Sequence, residues 1–226
     1  MTRAVAIDGP SGAGKSTVGY ALARRIDATF VDTGLMYRAL TLAAVERQVD
    51  VEDGPALARL AGECRIEVER ARPDQTDRLE TVRLDGRDVT RDVREPRIDR
   101  HVSAVSRHAE VRDAMLGVQR AAAWRDDTVM VGRDIGTVVL PDATLKVYLT
   151  APPQVRAARR AAEMGMPDRF DAYLDEILRR DRADSGRRIA PLRIPDGALV
   201  LDTGALPVVD CVERIVERLE EVEIGA

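Results

Sequence analysis

The sequence predicts an α/β protein, a parallel five-stranded sheet flanked by helices. Three observations carry that expectation. The chain opens on a short apolar run that enters a glycine-rich loop and then a helix. Apolar runs of strand length alternate with helical segments in the middle and again at the end. The stretch Glu63–Val93 departs from this rhythm and alternates with period two, as a small antiparallel insert would. At 226 residues the chain is long enough for one large domain with a substantial core.

Strands are expected at Ala4–Ile7, Thr29–Val31, Thr128–Val131, Leu145–Leu149 and Ala198–Leu201, each a short apolar run bounded by polar or turn residues. Helices are expected at Ser16–Ile26, Leu35–Val49, Arg97–Arg107, Glu110–Ala123, Pro152–Met164 and Phe170–Arg182. A final helix places Val208, Val209, Val212, Ile215, Val216, Leu219 and Val222 on one face and Asp210, Glu213, Arg214, Glu217 and Arg218 on the other. Within the insert, Arg65–Glu69 and Thr81–Leu84 read as strands joined by a polar, Pro-containing turn. Asp85-Gly86 then turns the chain into a third strand, Val89–Val93.

Gly9, Pro10, Ser11, Gly12, Ala13, Gly14, Lys15, Ser16 and Thr17 fit the pattern G-x-x-x-x-G-K-[ST] between a strand and a helix, which is where a phosphate-binding loop must sit. Such a loop aims successive backbone N–H groups and the positive end of the helix dipole at one small volume. Gly9, Gly12 and Gly14 let a polyphosphate approach the backbone. Lys15 reaches the β- and γ-phosphates, and the Ser16 hydroxyl is the expected ligand of Mg²⁺ carried by the nucleotide. Lysine occurs only at Lys15 and Lys146, arginine filling every other basic position. A compact ammonium is therefore kept where a branched guanidinium would not fit the loop.

Two further motifs follow strands and so fall on the carboxyl edge of an open parallel sheet, where ligands bind. One is Asp32-Thr33-Gly34 with Tyr37 and Arg38, the other Gly132-Arg133-Asp134 with Gly136 and Thr137. Arginines and carboxylates around a phosphate loop suit an acceptor that is itself anionic. Arg156, Arg159 and Arg160 on one helix, and Arg179, Arg180, Arg182, Arg187 and Arg188 at the end of the next, have the character of a lid that brings cations to a transferring phosphoryl group.

The net charge of −4 argues against general binding to nucleic acid or anionic membrane. No stretch has the length of a transmembrane span, and no leader is expected before the first strand, so the protein is expected in the cytoplasm. Cys64 and Cys211 lack metal-ligand spacing and read as buried reduced thiols. His101 and His108 carry no companion pattern and read as surface or helix-packing residues. The Asn-Lys-x-Asp pattern that specifies guanine is missing, which disfavours a GTPase. A kinase of UMP, AMP, shikimate or dephospho-coenzyme A, and a nucleotide-dependent switch, are the alternatives to the reading that follows.

The P-loop, the Asp32–Arg38 segment, Leu84-Asp-Gly-Arg-Asp-Val-Thr90, Val102–Ser106 with Val111-Arg112, Gly132–Val139 and Arg187–Leu192 occur in the order and spacing of bacterial cytidylate kinase, which the chain resembles over nearly its whole length. The resemblance implies a P-loop NTPase-like fold with a core at 1–33, 94–152 and 189–226, a monophosphate-binding region bearing the β insert at 34–93, and a short helical lid at 153–188. It implies transfer of the γ-phosphoryl of ATP to CMP or dCMP. A monomer is expected, because this architecture places the moving elements on exposed faces. Thr33, Arg38 and Arg133 would hold the acceptor, while Ser103, Arg112 and Asp134 would read the cytosine edge. Arg180, Asp184 and Arg187 would lie near the sugar and the transferring phosphate, so that Lys15, Arg133, Arg180 and Arg187 form the catalytic set. Arg159 would stack on adenine, with Arg156 an alternative for that surface. The chain departs from the family pattern at Arg87, where a carboxylate is common, at His101, where a small residue is usual, and in the short Pro167-containing stretch Glu163–Phe170.

Overall fold

A computed structural model describes residues 2–71, 75, 79–123 and 126–224. Strands β1 (Ala4–Asp8), β2 (Thr29–Asp32), β6 (Thr128–Gly132), β7 (Leu145–Thr150) and β8 (Leu199–Asp202) form one parallel sheet in the order β2-β6-β1-β7-β8. Every residue of β1 and β6 is buried, as the centre of a sheet covered on both faces requires. β1 pairs with β7 from Val5↔Leu145 to Asp8↔Tyr148, and β7 with β8 from Val147↔Leu199 to Thr150↔Asp202.

The chain divides into two compact units, residues 3–28 with 129–226, and residues 29–128. In the first, helix α1 (Lys15–Arg25) packs on α8 (Val208–Ile224), while α6 (Pro153–Glu163) and α7 (Phe170–Ser185) pack on each other. Cys211, Val212, Ile215, Val216 and Leu219 are the buried face of α8. The stripe expected from sequence is shorter at its start, since Val208 and Val209 are exposed. Each fully buried aliphatic side chain contributes about 1.5–3 kcal/mol, so the face from Cys211 to Leu219 is what docks the helix.

In the second unit, α2 (Thr33–Glu46) packs on α4 (Pro96–Val105), and α3 (Gly54–Glu63) on α5 (Ala109–Ala123). Helix α3 is an element that sequence reading did not place. Its signals were present: the Asp53 carboxylate accepts from Ala56 N at 2.9 Å as N-cap, with Pro55 in the first turn. A second sheet, β3 (Ile66–Arg70), β4 (Glu80–Leu84) and β5 (Arg87–Asp88), is antiparallel and is the expected insert. Asp85 and Gly86, at φ 52° and 83°, make the two-residue turn between β4 and β5. The Pro73-containing turn between β3 and β4 lies outside the described residues.

The expected strand Val89–Val93 is not one. The Thr90 hydroxyl accepts the Val82 N–H at 2.9 Å, so a side chain takes over the ladder, and a 3₁₀ turn follows at Asp92–Arg94. Arg87, the departure noted in the insert, donates to both carboxylate oxygens of Glu46 on α2 at 2.6 and 2.7 Å.

Candidate active site

In the unit of residues 3–28 and 129–226, the P-loop runs from the end of β1 to the start of α1. It lies so close to β7 that a Cβ at Gly9 would stand 2.2 Å from the Leu149 carbonyl oxygen. Gly14, the N-cap residue of α1, has φ 79°, a left-handed conformation that glycine adopts without strain. Lys15 is buried and donates from Nζ to the Pro10 carbonyl at 2.8 Å, which folds the ammonium back across its own loop.

Two arginines of α6 brace this loop. Arg156, 3% exposed, donates from Nε to Ala151 O at 2.9 Å and from Nη1 to Ser11 O at 3.0 Å. The same guanidinium holds Asp181 of α7 at 3.0 and 2.5 Å. One side chain thus ties the P-loop, the β7–α6 corner and α7 together. Arg159 donates to Thr203 Oγ1 at 3.0 Å and Thr203 O at 2.6 Å, and the Thr203 hydroxyl donates to Ala13 O at 3.1 Å. Asp181 and Thr203 were not singled out from sequence. Their roles depend on partners distant along the chain, 25 residues away for Asp181 and 190 for Thr203.

One lid arginine, Arg187, meets the strand-end arginine at a single carboxylate. Asp184, buried in the last turn of α7, accepts Arg133 Nε at 2.8 Å on one oxygen and Arg187 Nη2 on the other. Burial would raise the Asp184 pKa, but Arg133, Arg187 and Lys15 outweigh it and hold the carboxyl below its ordinary value. Arg180 pairs with Glu176 one helical turn away at 2.8 Å. Asp134, 5% exposed, opens a single π-helical turn, Ile135–Val139, that follows β6.

Residues 29–128, taken by themselves, carry the remaining candidates. Thr33 is buried at the start of α2, where Asp32 caps the helix through Gly34 N at 2.9 Å. Arg38, on the same helix, donates to Val93 O at 3.0 Å and pairs with Asp99. Arg112 of α5 is buried, donates to Ser106 O at 3.0 Å and lies 5.4 Å from the centroid of the Tyr37 ring. The fold thereby brings Arg112 against the helix that bears Thr33 and Arg38. Ser103 is half-buried on α4.

Beneath this group lies Glu80 of β4, 2% exposed, whose Oε1 accepts the Asp32 N–H at 2.9 Å. Burial, with Asp32 adding to it, pushes the Glu80 pKa up to about 8. The folded chain therefore keeps a proton that the unfolded chain has released, and stability is lost as pH rises from the ordinary glutamate value toward 8. Glu80→Gln keeps the Asp32 bond without the charge. Denaturation of both proteins at about pH 5 and pH 9 should show the variant gaining roughly 2–4 kcal/mol over the parent across that range. A constant difference would contradict the burial of an ionisable group there.

Comparison with known proteins decides what this arrangement belongs to. The model of the family described as cytidylate kinase matches residues 5–221. A cytidylate kinase of Caldanaerobacter subterraneus subsp. tengcongensis is 42% identical over 224 residues, 98% of this chain and 96% of the relative. That of Exiguobacterium sibiricum is 44% identical over 225 residues, 98% and 97% of the two chains. The chain belongs to the cytidylate kinase family. A shikimate kinase structure from Bacteroides thetaiotaomicron, at 16% identity and TM-score 0.50 over 96% of this chain and 98% of that one, shares the fold alone.

Cys64 and Cys211 are buried free thiols, and His108 packs through Nε2 against Val51 O at 2.9 Å. Among the described residues no helix is long and apolar enough to cross a membrane, and no group of three or more His, Cys, Asp or Glu is placed to hold a metal ion.

Proposed function

We propose that the protein transfers the γ-phosphoryl group of ATP to CMP or dCMP, giving ADP and CDP or dCDP. The observation that carries the reading is the family match over residues 5–221, reinforced by relatives named cytidylate kinase that cover almost the entire chain.

The acceptor phosphate is already an anionic nucleophile, so no general base is needed. An oxygen of that phosphate attacks the γ-phosphorus as the bond to the ADP oxygen breaks, and no proton changes hands. What this chain supplies is alignment and charge. Backbone N–H groups of Gly9–Thr17 and the N-terminus of α1 cradle the ATP phosphates, and Lys15 lies on the β- and γ-oxygens. Arg133, Arg180 and Arg187 bear on the transferring group, with Asp184 holding Arg133 and Arg187 and Glu176 holding Arg180. Arg159 offers its planar face to adenine.

The residues present fit Mg²⁺, which is bound through few protein oxygens together with phosphates and water. Ser16 follows Lys15 on the first turn of α1 and is exposed, and its hydroxyl would hold the ion. When bound, Mg²⁺ supplies neutralisation of charge on the β- and γ-phosphates. On the acceptor side, Thr33, Arg38 and Arg133 hold the phosphate, and Ser103, Arg112 and Asp134 read cytosine. Such a reaction needs only ATP and the monophosphate as partners, and a single chain in the cytoplasm suffices for it.

Base reading has a specific test. A carboxylate accepts from the exocyclic amine of cytosine, whereas the carboxamide of Asp134→Asn can also donate to the carbonyl of uracil. Asp134→Asn should lower the ratio of kcat/KM for CMP over UMP by at least about tenfold. An unchanged ratio would remove Asp134 from base recognition.

A further inference from the structure

Strand β8 ends at Asp202 in a tight turn. The Asp202 carboxylate accepts the Gly204 N–H at 2.8 Å, and the Asp202 carbonyl accepts the Leu206 N–H at 3.0 Å. Thr203 lies inside that turn and is buried. Each of its polar groups has a partner. The backbone N–H donates to Thr150 O at 2.8 Å, which ties the turn to the end of β7. The hydroxyl lies 3.1 Å from Ala13 O of the P-loop and 3.2 Å from Thr150 O, two acceptors for one proton. Its oxygen accepts Arg159 Nη1 at 3.0 Å, and the Thr203 carbonyl accepts Nη2 of the same guanidinium at 2.6 Å.

Arg159 contrasts with its neighbour one turn back on α6. Arg156 is buried and pairs with the Asp181 carboxylate. Arg159 is half-buried, and both hydrogen bonds of its guanidinium end on neutral oxygens of Thr203. Among the described residues no carboxylate pairs with it.

An ideal Cβ on Gly14 would stand 3.9 Å from Thr203 Oγ1 and 4.0 Å from Arg159 Nη1. Gly14 is the N-cap of α1, so this cation sits at the positive end of a helix dipole. The field there repels it. Two bonds from one residue oppose that repulsion and hold the guanidinium in one plane without neutralising its charge.

We infer that Thr203 is a positioning residue for the phosphoryl donor: it fixes the plane of Arg159 beside the P-loop end of α1, and thereby sets how tightly the adenosine half of ATP is held. This rests on the reading of Arg159 as the residue that meets adenine. A planar cation gains from stacking on a purine only in the plane of that contact. The turn that carries Thr203 is closed by its own hydrogen bonds, so Thr203 sets Arg159 and not the reverse.

The test is Thr203→Val, which keeps the shape and the carbonyl but removes the hydroxyl. The Kd of ATP, measured by titration calorimetry, should rise about tenfold, and KM for ATP with it. Turnover should stay within about threefold of the parent, and KM for CMP within about twofold. Thr203→Ser restores the hydroxyl and should return the Kd to within about twofold of the parent. Inorganic tripolyphosphate carries the phosphates without the nucleoside, and its affinity should stay within about twofold in Thr203→Val. A tripolyphosphate loss as large as the ATP loss would overturn the inference, since Thr203 would then act on the P-loop through Ala13 O. In an Arg159→Ala background, Thr203→Val should cost less than about twofold further. Equal losses in both backgrounds, or unchanged ATP affinity in Thr203→Val, would also overturn it. Arg159→Ala alone tells the two readings apart. If it weakens ATP and Thr203→Val does not, the inference fails while Arg159 keeps its place. If it leaves ATP affinity unchanged, Arg159 does not meet adenine and the inference falls with it. Binding is read without an acceptor, so a parent protein that binds ATP yet fails to phosphorylate CMP would defeat the kinase reading alone.

Discussion

Lys15→Ala is expected to lower turnover with ATP and CMP by about three orders of magnitude or more, with a melting temperature close to that of the parent. Charge moves onto the β–γ bridging and terminal oxygens as the phosphoryl group transfers, and a fixed ammonium there is worth several kcal/mol. The side chain is 8% exposed and bonds to Pro10 O, so it is held in the loop before nucleotide arrives. Removing it costs the fold the hydrogen bond to Pro10 O, about 1 kcal/mol. Lys15→Arg should not restore the rate, since the longer branched fork must displace a loop pressed within touching distance of Leu149 O. Steady-state kinetics alongside thermal melts decides the matter: parental kcat in Lys15→Ala would end the assignment of the P-loop as the phosphoryl-transfer site.

Arg156→Ala should have the largest effect on stability, with activity falling in step. Its guanidinium is buried and serves four acceptors, on Ser11, Ala151 and both oxygens of Asp181. Truncation leaves two carbonyls and a carboxylate without that partner and opens space beside Gly12, whose ideal Cβ would sit 3.1 Å from Arg156 Cβ. Breaking a buried pair costs about 3–5 kcal/mol. Asp181 is 25% exposed at its side chain and can recover some hydration, so roughly 2–4 kcal/mol is expected. Asp181→Asn, which keeps the shape, should cost less than half of that. Arg156→Lys should fall between, since one ammonium cannot span the same acceptors. Urea denaturation measures each. Loss below 1 kcal/mol in Arg156→Ala would contradict the bracing role.

Lys15 and the P-loop could be named from sequence because nine consecutive residues carry both the chemistry and the geometry, bounded by a strand and a helix. The sheet was legible for a similar reason: β1 and β6 each centre on an apolar run, Ala4–Ile7 and Val129–Val131, the pattern of strands buried on both faces. Val89–Val93 was misread because valines at both ends imitate alternation, while the Thr90 hydroxyl takes the ladder bond and a turn intervenes. Helix α3 escaped because its short apolar set, Leu57, Leu60 and Ala61, is interrupted by Arg59 and Gly62. Asp8, Asp181 and Thr203 escaped for a different reason. Nothing local marks a carboxylate whose partners are two backbone amides 127 and 128 residues away. Long-range polar contacts of this kind leave no periodicity to read.

The most direct test is release of ADP from Mg-ATP with CMP, dCMP, UMP, AMP and shikimate offered separately, Lys15→Ala serving as blank. The account predicts rapid turnover with CMP and dCMP, and at most a small fraction of that with the others. Preference for AMP or shikimate would contradict the roles given to Ser103, Arg112 and Asp134, and ATP binding without turnover on any acceptor would contradict the kinase itself.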